Sequence, residues 1–306
     1  MDAARRRTAR RPWAASVQGY LFLVPALVVL AAFVLGPGLW VFGLSLFKWD
    51  LIGAAARFLG GANYTLLARD PVFWQSLGQT VYFVAVSVPA GMAISLGLAL
   101  LLNARFPLRG FFRGAVFVPF ITPAVATIVI WQWIFNGDYG LLNALLGLMH
   151  LPRVAWLTDP RWIMPAVIVY TLWSTAGFNM VIFLAGLSNI APELQDAARV
   201  DGAGRWRVFR HVTWPLLTPT TYFVLLISVI NSFKVFNAIY VLTGSPNGVT
   251  GGPNRAAMTI GVYLYKQAFE FFRAGYASAI SVVLFVIVLA LTLLQMAAAR
   301  QRVFYR

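Results

Sequence analysis

The chain has no cysteine, and only two histidines and three lysines among its 306 residues. Without cysteine there is no disulfide framework, thiolate metal site, iron–sulfur cluster or thiol nucleophile. His150 and His211 stand far apart, on opposite faces of the membrane inferred below, which argues against a histidine metal centre. Charge is also scarce: 11% of residues are charged, against about 25% in an ordinary soluble domain. With 60% apolar residues and a mean hydropathy of +0.76, such a chain cannot cover its own surface in water. A soluble enzyme, a disordered tail and a disulfide-stapled secreted domain are all excluded. Each lysine follows an aromatic residue (Phe47, Phe233 or Tyr265), whereas a phosphate-cradling G-x-x-x-x-G-K-[ST] loop needs glycine there. The chain therefore cannot hydrolyse nucleotide in the P-loop manner. It offers no nucleophile–base pair and no carboxylate inside an apolar segment, the feature expected of many proton-driven carriers.

What is present is a series of long uncharged runs, at 12–47, 71–104, 114–137, 162–192, 211–233, 235–254 and 274–299. A helix needs about 20 apolar residues to cross the hydrocarbon of a bilayer. Joining the fifth and sixth runs, which only Lys234 separates, predicts crossings over 19–46, 74–102, 114–135, 163–187, 213–243 and 275–298. The run 139–152 is too short to cross and reads as an external loop with a short surface helix. The first run is far longer than the apolar region of a secretory signal and is expected to stay in the protein. Arginine and lysine set the orientation. With the N-terminus inside, fifteen basic residues fall in inner segments and eight in outer ones, giving an N-in, C-in topology.

The organisation expected is an N-terminal tail (1–18), a transmembrane domain (19–298) and a C-terminal tail (299–306), all inside the fold class of an all-α membrane protein. A net charge of +15 would suit nucleic acid, but these arginines gather at membrane edges, so anionic lipid headgroups are the expected partner and nucleic acid is not. Trp40, Trp49, Trp74, Trp131, Trp133 and Trp162 sit at the same edges, as in an interfacial belt. Pro25, Pro37, Pro89, Pro119, Pro123 and Pro165 lie in or beside the runs, where each removes a backbone hydrogen bond and permits a kink. After Gly244, the stretch G-S-P-N-G-V-T-G-G-P-N is too rich in glycine to span and reads as an external loop. Residues 256–272 mix Tyr263, Tyr265, Phe269, Phe271 and Phe272 with Lys266 and Glu270, a composition suited to an interfacial helix.

The inner loop 188–219 is the most informative stretch. Pro192 suits a first helical turn, and Glu193 and Asp196 favour its positive end. Asp201-Gly202 is a stop, since glycine takes positive φ freely. A second short helix through Trp206, Phe209 and Arg210 follows, and the pair should lie along the inner membrane face. Ala197, Ala198 and Ala203 give it a surface of small residues that a partner can approach closely.

The sequence D-A-A-x-x-D-G-A here, followed by Phe209, Pro215 and Pro219, resembles the loop that marks permease subunits of binding-protein-dependent ABC importers. The branch it resembles most includes the maltose, lactose and glycerophosphate permeases. The resemblance runs over roughly 15–300, through N-Y-T-L-L-A-R-D-P-V-F-W-Q-S-L (63–77), W-Q-W-I-F-N-G-D-Y-G-L-L-N (131–143), G-F-N-M-V-I-F-L-A-G-L (177–187) and G-Y-A-S-A-I-S-V-V-L-F (275–285). It implies a six-helix permease fold whose loop docks as a coupling helix in a cleft of a nucleotide-binding subunit. By that match Asp196, Ala197, Ala198, Asp201, Gly202 and Ala203 make the contact, with Asp196 where the family usually has the longer Glu. The implied assembly has a homologous second permease, two ATPase subunits carrying ATP and Mg, and an external solute-binding protein. This chain itself would bind no cofactor and no metal. The bacterial cytoplasmic membrane is the implied location.

Ser228, Asn231 and Ser232 share one face of the fifth segment at i, i+3 and i+4. Uncharged hydrogen-bonding groups at mid-membrane suit a sugar or polyol, whose hydroxyls both donate and accept. The resemblance adds the segment Gly177–Met180, and with it Asn179 and Met180, as substrate contacts. Lys234 is the one charge within a crossing; snorkelling, a carbonyl dipole and an anionic substrate are alternative roles for it. One lysine without an arginine fork is a poor phosphate clamp, so a neutral sugar is favoured. A self-sufficient secondary carrier for a small polar solute is the alternative function; an inverted repeat and mid-membrane acids would mark it, and neither is found.

Overall fold

The computed structural model describes residues 12–53, 56–104, 106–244 and 250–302. Helices α1 (Pro12–Leu30) and α2 (Gly36–Leu44) run on through a π-helical turn, Ala31–Leu35, and form the first crossing. Every residue from Tyr20 to Trp40 is exposed, as suits a helix surrounded by lipid. Near its outer end it meets the bundle, where the Phe42 ring packs edge-on against Phe285 at 5.7 Å.

A short antiparallel hairpin, β1 (Phe47–Lys48) and β2 (Arg57–Phe58), and helix α3 (Ala62–Arg69) cap the outer side. Helix α4 (Pro71–Asn103) follows. Its start is set by Asp70, whose Oδ1 accepts from the N–H of Val72 at 2.8 Å, with Pro71 in the first turn. The third crossing departs from the straight segment expected at 114–135: α5 (Arg109–Ile121) and α6 (Ala124–Ile134) meet at 97°. Pro123 has no N–H to continue the ladder, and Thr122 ends α5 with both its N–H and its hydroxyl donating to the Val118 carbonyl, at 3.1 and 2.8 Å. The short helix expected after it is α7 (Leu141–Leu148).

Helix α8 (Ile163–Ser188) is the centre of the bundle, packed against α4 and α5. The α5 contact is close because Gly177 has no side chain; a β-carbon there would strike the Val116 carbonyl. Then come α9 (Pro192–Val200), α10 (Arg205–Val208), a π-helical turn (Phe209–Thr213) and α11 (Trp214–Phe233), the last three a continuous span. Helix α11 stops at Phe233, and α12 (Asn237–Thr243) packs on α6. The fifth segment, expected over 213–243, is thus broken at 234–236. Part of the glycine-rich loop, residues 245–249, lies outside the described residues.

Helix α13 (Ile260–Tyr265) corrects part of one expectation: of the interfacial stretch expected over 256–272, this helix packs inside the bundle. Ile260 and Val262 are fully buried between α4 and α14 (Ala274–Arg302), and the Ile260 N–H donates to the Thr80 hydroxyl at 2.9 Å. Tyr263 is buried with them, whereas Phe269, Phe271 and Phe272, in the turn that follows, are exposed. Among the described residues, five helices are thus long and apolar enough to cross a membrane, and the bent α5–α6 pair makes six.

Candidate functional site

The break after α11 opens a cavity of about 610 Å³ among α4, the α5–α6 bend, α8 and α11. Its polar wall comes from Thr171, Ser174, Thr175 and Asn179 of α8, Ser228, Asn231 and Ser232 of α11, and Lys234 and Asn237 beyond the break. Aromatic rings face them: Phe83, Phe120, Tyr170, Phe178 and Phe236, with Phe120 and Phe178 stacked at 4.6 Å and 20°.

The hydrogen bonds within this wall define what it can offer. Thr171, Ser174 and Thr175 donate their hydroxyls to carbonyls of their own helix, at 2.8, 3.1 and 2.8 Å. Their oxygens remain able to accept. The Asn179 amide reaches the Ser228 hydroxyl at 3.5 Å, the limit of a hydrogen bond, so both groups keep capacity for another partner. The Ser87 hydroxyl, on the α4 side, is buried with no partner at all. Acceptors, amide donors and flat apolar rings in one cavity match a molecule that is hydroxylated on its edges and apolar on its faces.

Of the substrate contacts expected, Asn179, Ser228, Asn231, Ser232 and Lys234 line the cavity together. Met180 does not; one position round α8, it is fully buried in an apolar cluster with Phe183 and Leu217. Sequence reasoning missed the rest of the α8 wall, although Thr171, Ser174 and Thr175 fall at i, i+3 and i+4 and continue to Asn179. The same spacing test applied to α11 would have found them. Asn237 and the aromatic rings carry no such signal, because the break and the α5–α6 bend bring them in.

On the inner side, α9 and α10 form the expected pair of short helices. Asp201 N–H donates to the Ala197 carbonyl at 3.0 Å, Gly202 N–H to Arg199 at 3.0 Å and Ala203 N–H to Ala198 at 2.9 Å. This is a Schellman closure, with Gly202 at φ +80° where the motif needs a left-handed residue. No residue of α9 is buried, and Val200 and Trp206 are 88% and 69% exposed. Asp196 pairs with Arg199 at 3.0 Å, an exposed contact of little energetic consequence. Asp196, Ala197, Asp201 and Gly202 all face outward, with Ala198 and Ala203 half-buried.

At the outer side a carboxylate that sequence reasoning passed over organises three elements. Asp70, besides capping α4, accepts from the hydroxyls of Tyr263 and Tyr276, the latter at 2.6 Å. Burial pushes the Asp70 carboxyl up, but the two phenols and the N–H groups of Val72 and Phe73 outweigh it and hold it below its ordinary value of 3.8. Burial and the neighbouring carboxylate push the Tyr263 hydroxyl up to about 12.

Among the described residues no group of histidine, aspartate and glutamate side chains could hold a metal ion. Comparison with known proteins gives this arrangement a family. Residues 87–303 match the binding-protein-dependent transport system inner membrane component. The lactose transport system permease protein LacF of Rhizobium radiobacter is 36% identical over 94% of this chain and 95% of its own length. The trehalose/maltose transport system permease protein MalF of Thermococcus litoralis is 34% identical, over 93% and 94%. The fold is that of a bacterial alginate ABC transporter solved with a periplasmic protein bound to alginate pentasaccharide: TM-score 0.81 at 24% identity, covering 95% of this chain and 98% of that one. The chain therefore belongs to the inner-membrane components of binding-protein-dependent transport systems, as a multi-pass permease subunit and not an enzyme.

Proposed function

We propose that this permease carries a sugar or related polyol into the cytoplasm, in a bacterial cytoplasmic membrane. An external solute-binding protein delivers the solute, a homologous second permease completes the pathway, and two ATPase subunits supply ATP hydrolysis with their own Mg. The coupling contact is made by Asp196, Ala197, Ala198, Asp201, Gly202 and Ala203. Substrate contacts are Asn179, Ser228, Asn231, Ser232 and Lys234. The curated relatives named for lactose and for trehalose and maltose support the sugar.

The observation that carries the reading is continuity. The exposed elbow at α9–α10 leads without a break through the π-helical turn into α11, whose far end forms the cavity wall. A helix is stiff along its axis, so a displacement imposed on the elbow reaches Ser228, Asn231 and Ser232 as a tilt of the wall. Nucleotide-driven closure of a partner can then alternate the cavity between the two sides without this chain touching ATP.

The test is uptake of a labelled disaccharide into proteoliposomes containing the whole importer and its binding protein. Uptake should require ATP inside and all three kinds of partner, and the purified chain alone should hydrolyse none. ATP hydrolysis by the isolated chain, or uptake without the ATPase subunits, overturns the reading.

A further inference from the structure

Lys234 is exposed where the cavity meets the end of α11, and among the described residues it is the one charged side chain lining that cavity. No carboxylate contributes to the wall, and among the described residues no acid lies within salt-bridge distance of its ammonium. Lys234 closes α11, where unpaired carbonyls and the negative end of the helix favour a cation. A cation that lines a cavity between membrane helices, with no acid beside it, points to a ligand path. The uncharged remainder of the wall already suits a hydroxylated ring, leaving the ammonium without a role there.

Resting on the sugar reading above, we infer that the solute is a sugar carrying a single negative charge, a carboxylate or sulfonate, with Lys234 as its counter-ion. A neutral sugar was the expectation from sequence, because one lysine clamps a phosphate poorly. That argument weighs against a doubly charged phosphate and not against a monoanion, which one ammonium neutralises. The surroundings fit: Asn231, Ser232 and Asn237 flank Lys234 in the lining and can take the anion's remaining lone pairs, while Phe120 and Phe178 offer a flat surface to the ring.

The first measurement is calorimetric titration of the cognate binding protein with paired probes. D-glucuronate, D-galacturonate and 6-deoxy-6-sulfo-D-glucose are set against D-glucose, D-galactose, lactose and maltose, with free amino acids as a third class. Capture of an acidic probe in preference to its neutral counterpart is expected. Capture of a neutral sugar in preference, or of no acidic probe, overturns the inference and leaves the sugar reading standing. Capture of amino acids alone overturns both. The second measurement is uptake of the captured acidic probe by the complete importer. Lys234→Gln should raise its KM about ten- to a hundredfold, the loss of one charge-assisted hydrogen bond, and Lys234→Arg should restore most of it. An unchanged KM in Lys234→Gln, with wild-type amounts of assembled complex, removes Lys234 from the site.

Discussion

The inner elbow and the outer cap are held in opposite ways. The elbow closes on itself: each of its defining hydrogen bonds joins residues three to five apart, and α9 buries nothing. The cap is stitched across the whole chain. Asp70 receives Tyr263 and Tyr276, and Asn63 donates to the carbonyls of Ser45 and Phe47 at 2.8 and 3.0 Å. The Leu51 N–H reaches Phe272 at 3.0 Å, and the Gly275 N–H reaches Trp49 at 3.1 Å. An element shaped by its own backbone keeps its form while its surface stays free for a partner. An element made of distant contacts gives a frame against which other helices can move. The first should fail in function without failing in stability, and the second the other way round.

The sharpest way to break that contrast is Gly202→Val. At φ +80° a β-branched side chain is a conformational outlier, and left-handed backbone costs an L-residue about 1–2 kcal/mol even without branching. A β-carbon at Gly202 meets no atom within 4 Å, so the strain reshapes the turn and not the bundle. Uptake should fall more than tenfold and recovery of ATPase subunits with the purified complex should fall with it, while membrane insertion and thermal unfolding of the chain stay as in wild type. Normal uptake and normal ATPase recovery together would show that the elbow's shape is not what couples.

Asp70→Ala is the counterpart at the cap. It removes the α4 cap and leaves two phenols without their acceptor, a loss of roughly 1–3 kcal/mol. The unfolding midpoint of the purified chain should drop by several degrees, with uptake at permissive temperature within about threefold of wild type. Asp70→Asn, which still caps, should drop it less. An unmoved midpoint in Asp70→Ala would mean the cap is as dispensable to the frame as the elbow.

The same division explains what could be read from the sequence. The elbow was legible because Pro192, Asp201 and Gly202 act through chain neighbours, so their order alone dictates helix, stop and helix. Ser228, Asn231 and Ser232 were legible as a face because one helix carries them. Asp70 was not, since nothing near position 70 announces a tyrosine at 263 or 276. Helix α13 was misread for the same reason: Ile260, Val262 and Tyr263 look lipid-facing until α4 and α14 close over them, while Phe269, Phe271 and Phe272 beyond the helix are exposed. Met180 came from the resemblance and not from its own surroundings, and the structure turns it into the core beside Phe183.

The cavity stands between the two extremes, with walls from six helices, of which the polar faces of α8 and α11 are local patterns. Its hydrogen bonds to a solute are individually modest, so Asn231→Ala should slow uptake roughly threefold to tenfold, corresponding to about 0.5–1.5 kcal/mol per lost bond. Because the Asn231 side chain is exposed and makes no hydrogen bond among the described residues, stability should not change. Uptake equal to wild type at subsaturating solute would place recognition elsewhere on the wall.

The smallest effect expected is in pH, and it belongs to the cap alone. Asp70 is held below 3.8 when folded, so its contribution to stability is present above that value and fades as pH falls through the lower, folded one. Tyr263 is pushed up to about 12, so its contribution is complete below the ordinary tyrosine value of 10.0 and fades as pH rises from there towards 12. Between these limits the pair should contribute equally at every pH, giving a plateau in the unfolding midpoint of the detergent-solubilised chain across the neutral range. Tyr263→Phe should weaken both edges, because it removes the group that titrates on the alkaline side and one of the donors that depress Asp70 on the acid side. The elbow has no such coupled pair, so Gly202→Val should leave both edges in place. Edges unchanged by Tyr263→Phe, or moved by Gly202→Val, would dissolve the distinction between a stitched outer frame and a self-contained inner turn.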